Sequence, residues 1–119
     1  MITFKTIDDM EMQNIIDTKE VSDDIKKSAE NVLVVCTQDW CGDWKALERE
    51  LKSNEDKSHI DITIYICMYN QSSLYESFMN FKENVWNNDL IPYLRYYKNG
   101  SFIKDSNHLP FQRLIKVFE

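Results

Sequence analysis

Two apolar runs, each followed by a helical pattern, constrain the fold of this chain more than any other feature. The runs are "VLVVC" at residues 32 to 36 and "ITIYICM" at residues 62 to 68. Continuous apolar, β-branched runs are typical of strands that are buried on both faces of a parallel sheet. The residues that follow place apolar side chains at helical spacing: Trp44, Leu47 and Leu51 after the first run, and Leu74, Phe78, Phe81 and Val85 after the second. The sequence therefore predicts a repeated strand–helix unit.

The two ends of the chain add further elements. "ITFKTI" alternates like a strand, and Asp8 or Asp9 is predicted to cap a helix that runs to Asp17, with a polar helix over residues 22 to 30 after it. Near the other end, Asn99-Gly100 supplies the two positive-φ positions of a tight hairpin. Pro110 then suits the first position of a closing helix, whose inward-facing residues are Leu114, Ile115 and Phe118.

This order of elements predicts an α/β fold with a mixed central sheet and helices on both faces, a three-layer sandwich. The chain has 119 residues, which suit one domain over residues 1–119.

Charge and hydropathy exclude several classes of partner. Twenty Asp and Glu against 14 Lys and Arg give a net charge of −6, which repels a phosphate backbone, so we expect no nucleic-acid partner. No segment approaches the roughly 20 apolar residues of a membrane span, and "MITFKTIDDME" has charges where a signal sequence would be apolar. We therefore expect no membrane partner and a cytoplasmic protein.

The chain contains three cysteines, an odd number without paired zinc-type spacing, so neither a disulfide scaffold nor a metal site is predicted. Cys36 and Cys67 fall within the apolar runs and are expected to be core residues without a disulfide between them. Cys41 lies at the predicted start of a helix, where unpaired backbone N–H groups and the helix dipole favour a thiolate. The carboxylates of Asp39 and Asp43 oppose this effect.

Two stretches resemble the thioredoxin family. "VLVVCTQDWCGDWKAL" resembles the strand, loop and helix around a thioredoxin active site, and "LIPYLRYYKNG" is similar to the Ile-Pro, strand and Lys-Asn-Gly hairpin of that family. The resemblance implies a thioredoxin-like fold in which Cys41 takes the place of the attacking cysteine and Trp44 that of the resolving one. Pro92 takes the place of the cis-proline. Val35 and Ile66 stand where the family has a buried acid and its lysine companion.

The resemblance and the helix-start cysteine together predict a monothiol thioredoxin-like protein that takes part in thiol–disulfide exchange. Cys41 is the expected nucleophile, and the other expected site residues, which would contact the substrate, are Trp40, Gly42, Asp43, Trp44, Ile91 and Pro92. The expected partner is a protein or small molecule that carries a disulfide or a thiol, and an external thiol must release the mixed disulfide. We expect a monomer without a cofactor. The alternative is a redox-inactive module that binds another protein through the same groove.

Overall fold

The computed structural model describes all residues, Met1 to Glu119. Its strands are β1 (Ile2–Thr6), β2 (Asn31–Thr37), β3 (Ile62–Met68), β4 (Tyr93–Lys98) and β5 (Ser101–Ser106). Its helices are α1 (Asp9–Thr18), α2 (Asp23–Lys26), α3 (Gly42–Ser53), α4 (Tyr75–Asn84) and α5 (Phe111–Val117), with a 3₁₀ turn at Tyr69–Gln71. None of the helices combines the length and the apolar composition needed to cross a bilayer.

The five strands form one mixed sheet in the order β1-β3-β2-β4-β5. β3 pairs in parallel with both β1 and β2, whereas β4 is antiparallel to both β2 and β5. Parallel neighbours require crossover connections, and the helices of those connections cover the faces of the sheet. The predicted three-layer α/β sandwich is therefore confirmed.

Two apolar clusters, one on each face of the sheet, form the core. The first contains Trp44 and Leu47 of α3, Leu114 of α5 and Phe118, the C-cap of α5. The second contains residues of α1 and α4, including Met12, Ile15, Phe78 and Phe81. Strand β2 lies between them, and all seven of its residues are buried. Its side chains alternate, so that Leu33 and Val35 join the first cluster while Val32, Val34 and Cys36 join the second.

Local sequence signals determine where several elements begin and turn. The Asp8 carboxylate caps α1 by accepting a hydrogen bond from the Glu11 N–H at 2.8 Å, as predicted. Asn99 and Gly100 have φ angles of 51° and 81°, so the predicted hairpin turn is also confirmed.

The helical pattern predicted after β3 is confirmed as α4, with Leu74 and Val85 as its caps. Two predicted helix boundaries are wrong. The polar helix predicted over residues 22 to 30 is only the four-residue α2, because it has no buried side chain to stabilise a longer helix. Pro110 is the N-cap of α5 rather than its first helical residue.

A buried arginine on β4 ties the α1–α2 connection to the sheet. Arg95 is 7% exposed and donates hydrogen bonds to the hydroxyls of Tyr97 at 2.8 Å and Tyr93 at 3.0 Å and to the Glu20 carboxylate at 2.9 Å. Its guanidinium also stacks on the indole of Trp86, 4.1 Å from the ring centroid. The buried charge thus has a paired carboxylate, and each of its three nitrogens donates one hydrogen bond, which offsets the cost of its burial.

Candidate active site

Cys41 lies in the short loop between β2 and α3 and is the N-cap of that helix. Its backbone N–H donates to the Gln38 carbonyl at 3.1 Å, and its Sγ accepts a hydrogen bond from the Trp44 N–H at 3.4 Å. The helix-start position predicted for this cysteine is confirmed. The residue is 4% exposed, so its sulfur lies at the base of the loop rather than on an open surface.

The side-chain amide of Gln38 holds the indole of Trp40 beside Cys41. Gln38 Oε1 accepts hydrogen bonds from Trp40 Nε1 at 2.6 Å and from the Tyr75 hydroxyl at 3.2 Å. Gln38 Nε2 donates to the Tyr69 hydroxyl at 3.2 Å. The indole is 65% exposed although its nitrogen is bonded, so Trp40 presents a positioned aromatic surface next to the cysteine loop.

Asp39 connects the cysteine loop to the turn that follows β3. Its N–H donates to Asn70 Oδ1 at 3.0 Å, and its carboxylate accepts hydrogen bonds from Asn70 Nδ2 at 2.8 Å and from Gln71 Nε2 at 3.2 Å. The hydrogen bonds from Asn70 and then Gln71 lower the pKa of Asp39. Asp39 therefore stays ionised in a fixed position. Asp43 and Gly42 lie exposed in the first turn of α3.

The segment before β4 contains the predicted cis peptide bond, between Ile91 and Pro92. Ile91 packs against the apolar cluster that contains Cys41, and Pro92 is buried. The buried Lys82 amine holds the preceding loop by donating to the carbonyls of Asn88 at 2.7 Å and Leu90 at 2.8 Å. Burial lowers the pKa of Lys82. Ile91, 50 positions after Cys41 in the sequence, is partly buried and packs against both the cluster that contains Cys41 and the cluster on the other face.

The Trp44 side chain is not exposed to a substrate, which corrects its prediction as a substrate-contacting residue. Its side chain is 1% exposed and packs in the cluster formed by α3, α5 and the sheet. The reason is its position on the inward face of α3, which it shares with Leu47 and Leu51. The Trp44 backbone N–H donates to Cys41 Sγ, and its indole packs in the apolar cluster that also contains Cys41.

Val35 and Ile66 are register partners on β2 and β3 and belong to the same apolar cluster as Cys41. The two positions at which the thioredoxin resemblance implies a buried acid and a lysine are therefore adjacent in space, and both are aliphatic here. Neither can accept or donate a proton.

Cys36 and Cys67 are also register partners on these two strands, on the opposite face of the sheet. Both are fully buried, and all three cysteines are free thiols in the structure. A hydrogen bond with Cys36, together with burial, raises the pKa of the Cys67 thiol. These two thiols are thus core side chains, as expected.

Sequence reasoning missed the polar residues that support the site. Gln38, Asn70 and Lys82 lie in segments whose apolar spacing indicates only where strands and helices run. Each supports the site through hydrogen bonds to residues elsewhere in the fold, and no local sequence pattern indicates such a partner.

No protein-family model matches the sequence, and no curated protein matches it either. Solved structures do match. Thioredoxin O1 from Arabidopsis thaliana superposes with a TM-score of 0.64 at 14% identity, over 97% of this chain and 94% of that one. A thioredoxin mutant from Halobacterium salinarum superposes with a TM-score of 0.61 at 14% identity, over 98% of this chain and 87% of that one. The oxidised thioredoxin of Plasmodium falciparum superposes with a TM-score of 0.57 at 18% identity, over 96% of both chains.

The superpositions cover nearly the whole of this chain and most of each thioredoxin. The sheet order and the helices on both faces agree with that similarity. The protein therefore has the thioredoxin fold.

Proposed function

We propose that this protein carries out thiol–disulfide exchange with Cys41 as its single nucleophile. The observation that carries the proposal is the hydrogen bond at 3.4 Å from the Trp44 N–H to Cys41 Sγ at the first turn of α3. This hydrogen bond holds the Cys41 sulfur at the N-terminal end of a 12-residue helix, the end toward which the backbone N–H groups and the positive pole of a helix dipole point. The thiolate is the form that attacks a disulfide.

The exchange has two steps because this site contains one cysteine. In the first step, the Cys41 thiolate attacks one sulfur of a substrate disulfide, a new S–S bond joins Cys41 to that sulfur, and the other substrate sulfur leaves as a thiolate. In the second step, an external thiolate attacks the mixed disulfide and forms a disulfide with the substrate half, which releases the Cys41 thiolate. Electrons flow from the external thiol to the substrate, so a low-molecular-weight or protein thiol is the required reductant.

The surroundings of Cys41 suit an extended partner chain. Trp40 supplies a positioned aromatic surface on one side, and the Ile91–Pro92 segment packs against the same cluster as Cys41. Gly42 and Asp43 begin α3 on its exposed side. We assign substrate contacts to these residues and leave Trp44 out of that set. Three free cysteines suit a reducing compartment such as the cytoplasm, where we propose that the monomeric protein works.

A second function, a redox-inactive binding module, is favoured by two observations. Cys41 is only 4% exposed, and the register partners Val35 and Ile66 are aliphatic and cannot move a proton. Under this alternative the exposed Trp40 indole and the Ile91–Pro92 segment still bind a partner, but Cys41 forms no covalent bond.

A direct test is to incubate the folded protein with excess glutathione disulfide and locate the adducts by peptide mass spectrometry. Thiol–disulfide exchange requires a glutathione adduct on Cys41 that dithiothreitol removes, while the fully buried Cys36 and Cys67 remain unmodified and act as internal controls. The variant Cys41→Ser should take up no glutathione. A Cys41 thiol that stays unmodified in the native protein, yet reacts after denaturation, would favour the binding module.

A further inference from the structure

A basic concavity lies between the last strand and the last helix. It has a volume of about 330 Å³ and is lined by Ile103 and Lys104 of β5 and by Arg113, Lys116 and Val117 of α5. No residue of the Cys41 loop lines it. Its lining thus combines three cations and two aliphatic side chains, without a single carboxylate.

This grouping of charge stands out because the whole chain is acidic. Twenty Asp and Glu outnumber 14 Lys and Arg, yet three of those 14 line one concavity. None of the three takes part in an ion pair, whereas Lys26, Lys27, Lys52, Arg95 and Lys98 all do. Lys104, Arg113 and Lys116 are exposed and free to bind an external anion.

The concavity borders an open edge of the sheet. β5 is the last strand in the order, and its backbone hydrogen bonds go to β4 alone, so the outward N–H and C=O groups have no protein partner. Phe102 and Ile103 on this strand are 44% and 43% exposed. An unpaired edge with exposed apolar side chains is a template for another extended chain.

The register of β5 explains how its side chains come to line the concavity. Ile103 has no register partner on β4, because the pairing shifts between Tyr96 and Tyr97. A bulge of this kind lets two successive residues, here Ile103 and Lys104, face the same side. Asp105 on the same strand accepts a hydrogen bond from the Tyr93 hydroxyl at 2.9 Å and does not line the concavity.

We infer that the β5 edge and the basic concavity form a docking site for an extended acidic segment of another protein. The segment adds to the sheet as a strand beside β5. Because side chains alternate along a strand, every second residue then faces α5, where Asp or Glu meets the three cations. A second copy of this chain is a poorer occupant, since pairing β5 with β5 brings two sets of the same cations together.

The test uses a fluorescein-labelled octapeptide of alternating Glu and Val and measures its binding to the full-length protein by fluorescence anisotropy. We expect saturable binding that weakens as NaCl rises from 50 to 300 mM, and no binding of the Lys-Val counterpart. N-methylation of every second residue of the Glu-Val peptide removes the N–H donors of one edge and should weaken binding about tenfold or more.

Two protein variants with the same change in net charge distinguish binding at this site from a general effect of the protein's net charge on the peptide. Arg113→Glu combined with Lys116→Glu should weaken peptide binding at least about tenfold. The matched control, Arg49→Glu combined with Lys57→Glu, should change binding by less than about threefold. All four residues are exposed, so both variants are expected to fold, which circular dichroism checks.

Several results would overturn the proposal. These are a lack of saturable binding, equal weakening by the two paired variants, or undiminished affinity of the N-methylated peptide. Displacement of the peptide by citrate at a comparable concentration would assign the concavity to small polyanions instead. A stable dimer in light scattering that the Arg113→Glu and Lys116→Glu changes leave intact would assign the edge to a second copy of the chain.

Discussion

Val35 and Ile66 lie opposite each other on the neighbouring parallel strands β2 and β3, in the apolar cluster that contains Cys41. Both side chains are aliphatic at the two positions where the thioredoxin resemblance implies a charged pair. Neither side chain can accept or donate a proton. Val35 is 0% exposed, so an ionisable group introduced at that position would be buried in the apolar cluster without a partner.

Val35→Asp should destabilise the protein by about 3 kcal/mol or more, because it places a carboxyl group in an apolar cluster without a partner. Burial raises the folded-state pKa of the introduced carboxyl above its unfolded value of about 3.9. The stability deficit should therefore be smallest below about pH 4 and grow as the pH rises toward the folded-state pKa. Urea unfolding across this range measures it, with Val35→Ala as the control for lost volume. A deficit independent of pH would contradict the prediction.

Trp44→Cys should introduce a resolving thiol and give some turnover in insulin reduction, whereas the wild-type protein should reduce insulin poorly. Removal of the indole, which is fully buried, should cost about 3 kcal/mol or more of unfolding free energy. Trp44→Ser creates a similar cavity without a thiol and is the matched control. Equal rates for the wild-type protein and Trp44→Cys would show that Cys41 does not need a resolving group.

Glu20→Ala should reduce the free energy of unfolding by about 2–3 kcal/mol, since it leaves the buried Arg95 guanidinium without its carboxylate. Glu20→Gln should cost less, because the amide oxygen still accepts the hydrogen bond from the Tyr97 hydroxyl. The control is Glu30→Gln, which removes an exposed pair with Lys98 at 3.7 Å and should cost about 0.5 kcal/mol or less. Chemical denaturation of the three variants gives the comparison, and equal costs for Glu20→Ala and Glu30→Gln would contradict it.

Alkaline pH should unfold the protein through its buried tyrosines. Burial raises the pKa of Tyr69 and of Tyr96 to about 12 and raises that of Tyr93 and Tyr97 still further. Because these pKa values exceed the unfolded value of about 10, the stability from the neutral phenols is present below pH 10 and is lost as pH rises. Absorbance at 295 nm and far-UV circular dichroism should change together between about pH 10 and 12.

Tyr96→Phe removes one of these phenols and should make the loss of stability with pH less steep. The Tyr96 hydroxyl has the Ser106 hydroxyl as its only side-chain hydrogen-bond partner, so the fold should tolerate the change. Ionisation of all tyrosines near pH 10 with the circular dichroism unchanged would contradict the prediction.

The sequence by itself determined the order of strands and helices, because apolar spacing and turn residues act over a few neighbouring positions. The run over residues 32 to 36 is the buried core of β2, and Asn99-Gly100 makes the hairpin. The resemblance also identified the cis bond before Pro92 and the place of Cys41 at the start of α3. These features depend on local backbone conformation or on a short sequence motif.

Only the tertiary structure decided how deeply Trp44 is buried and which distant partners the polar residues find. Glu20 and Arg95 are 75 residues apart in the sequence, and Gln38 bonds to Tyr69 across 31 residues. Apolar periodicity indicates which side of an element faces the core, but it gives neither the depth of a side chain nor its partner on another element. Those properties arise when the layers pack, because each buried polar group must then find a hydrogen-bond partner among side chains that only the completed fold brings together.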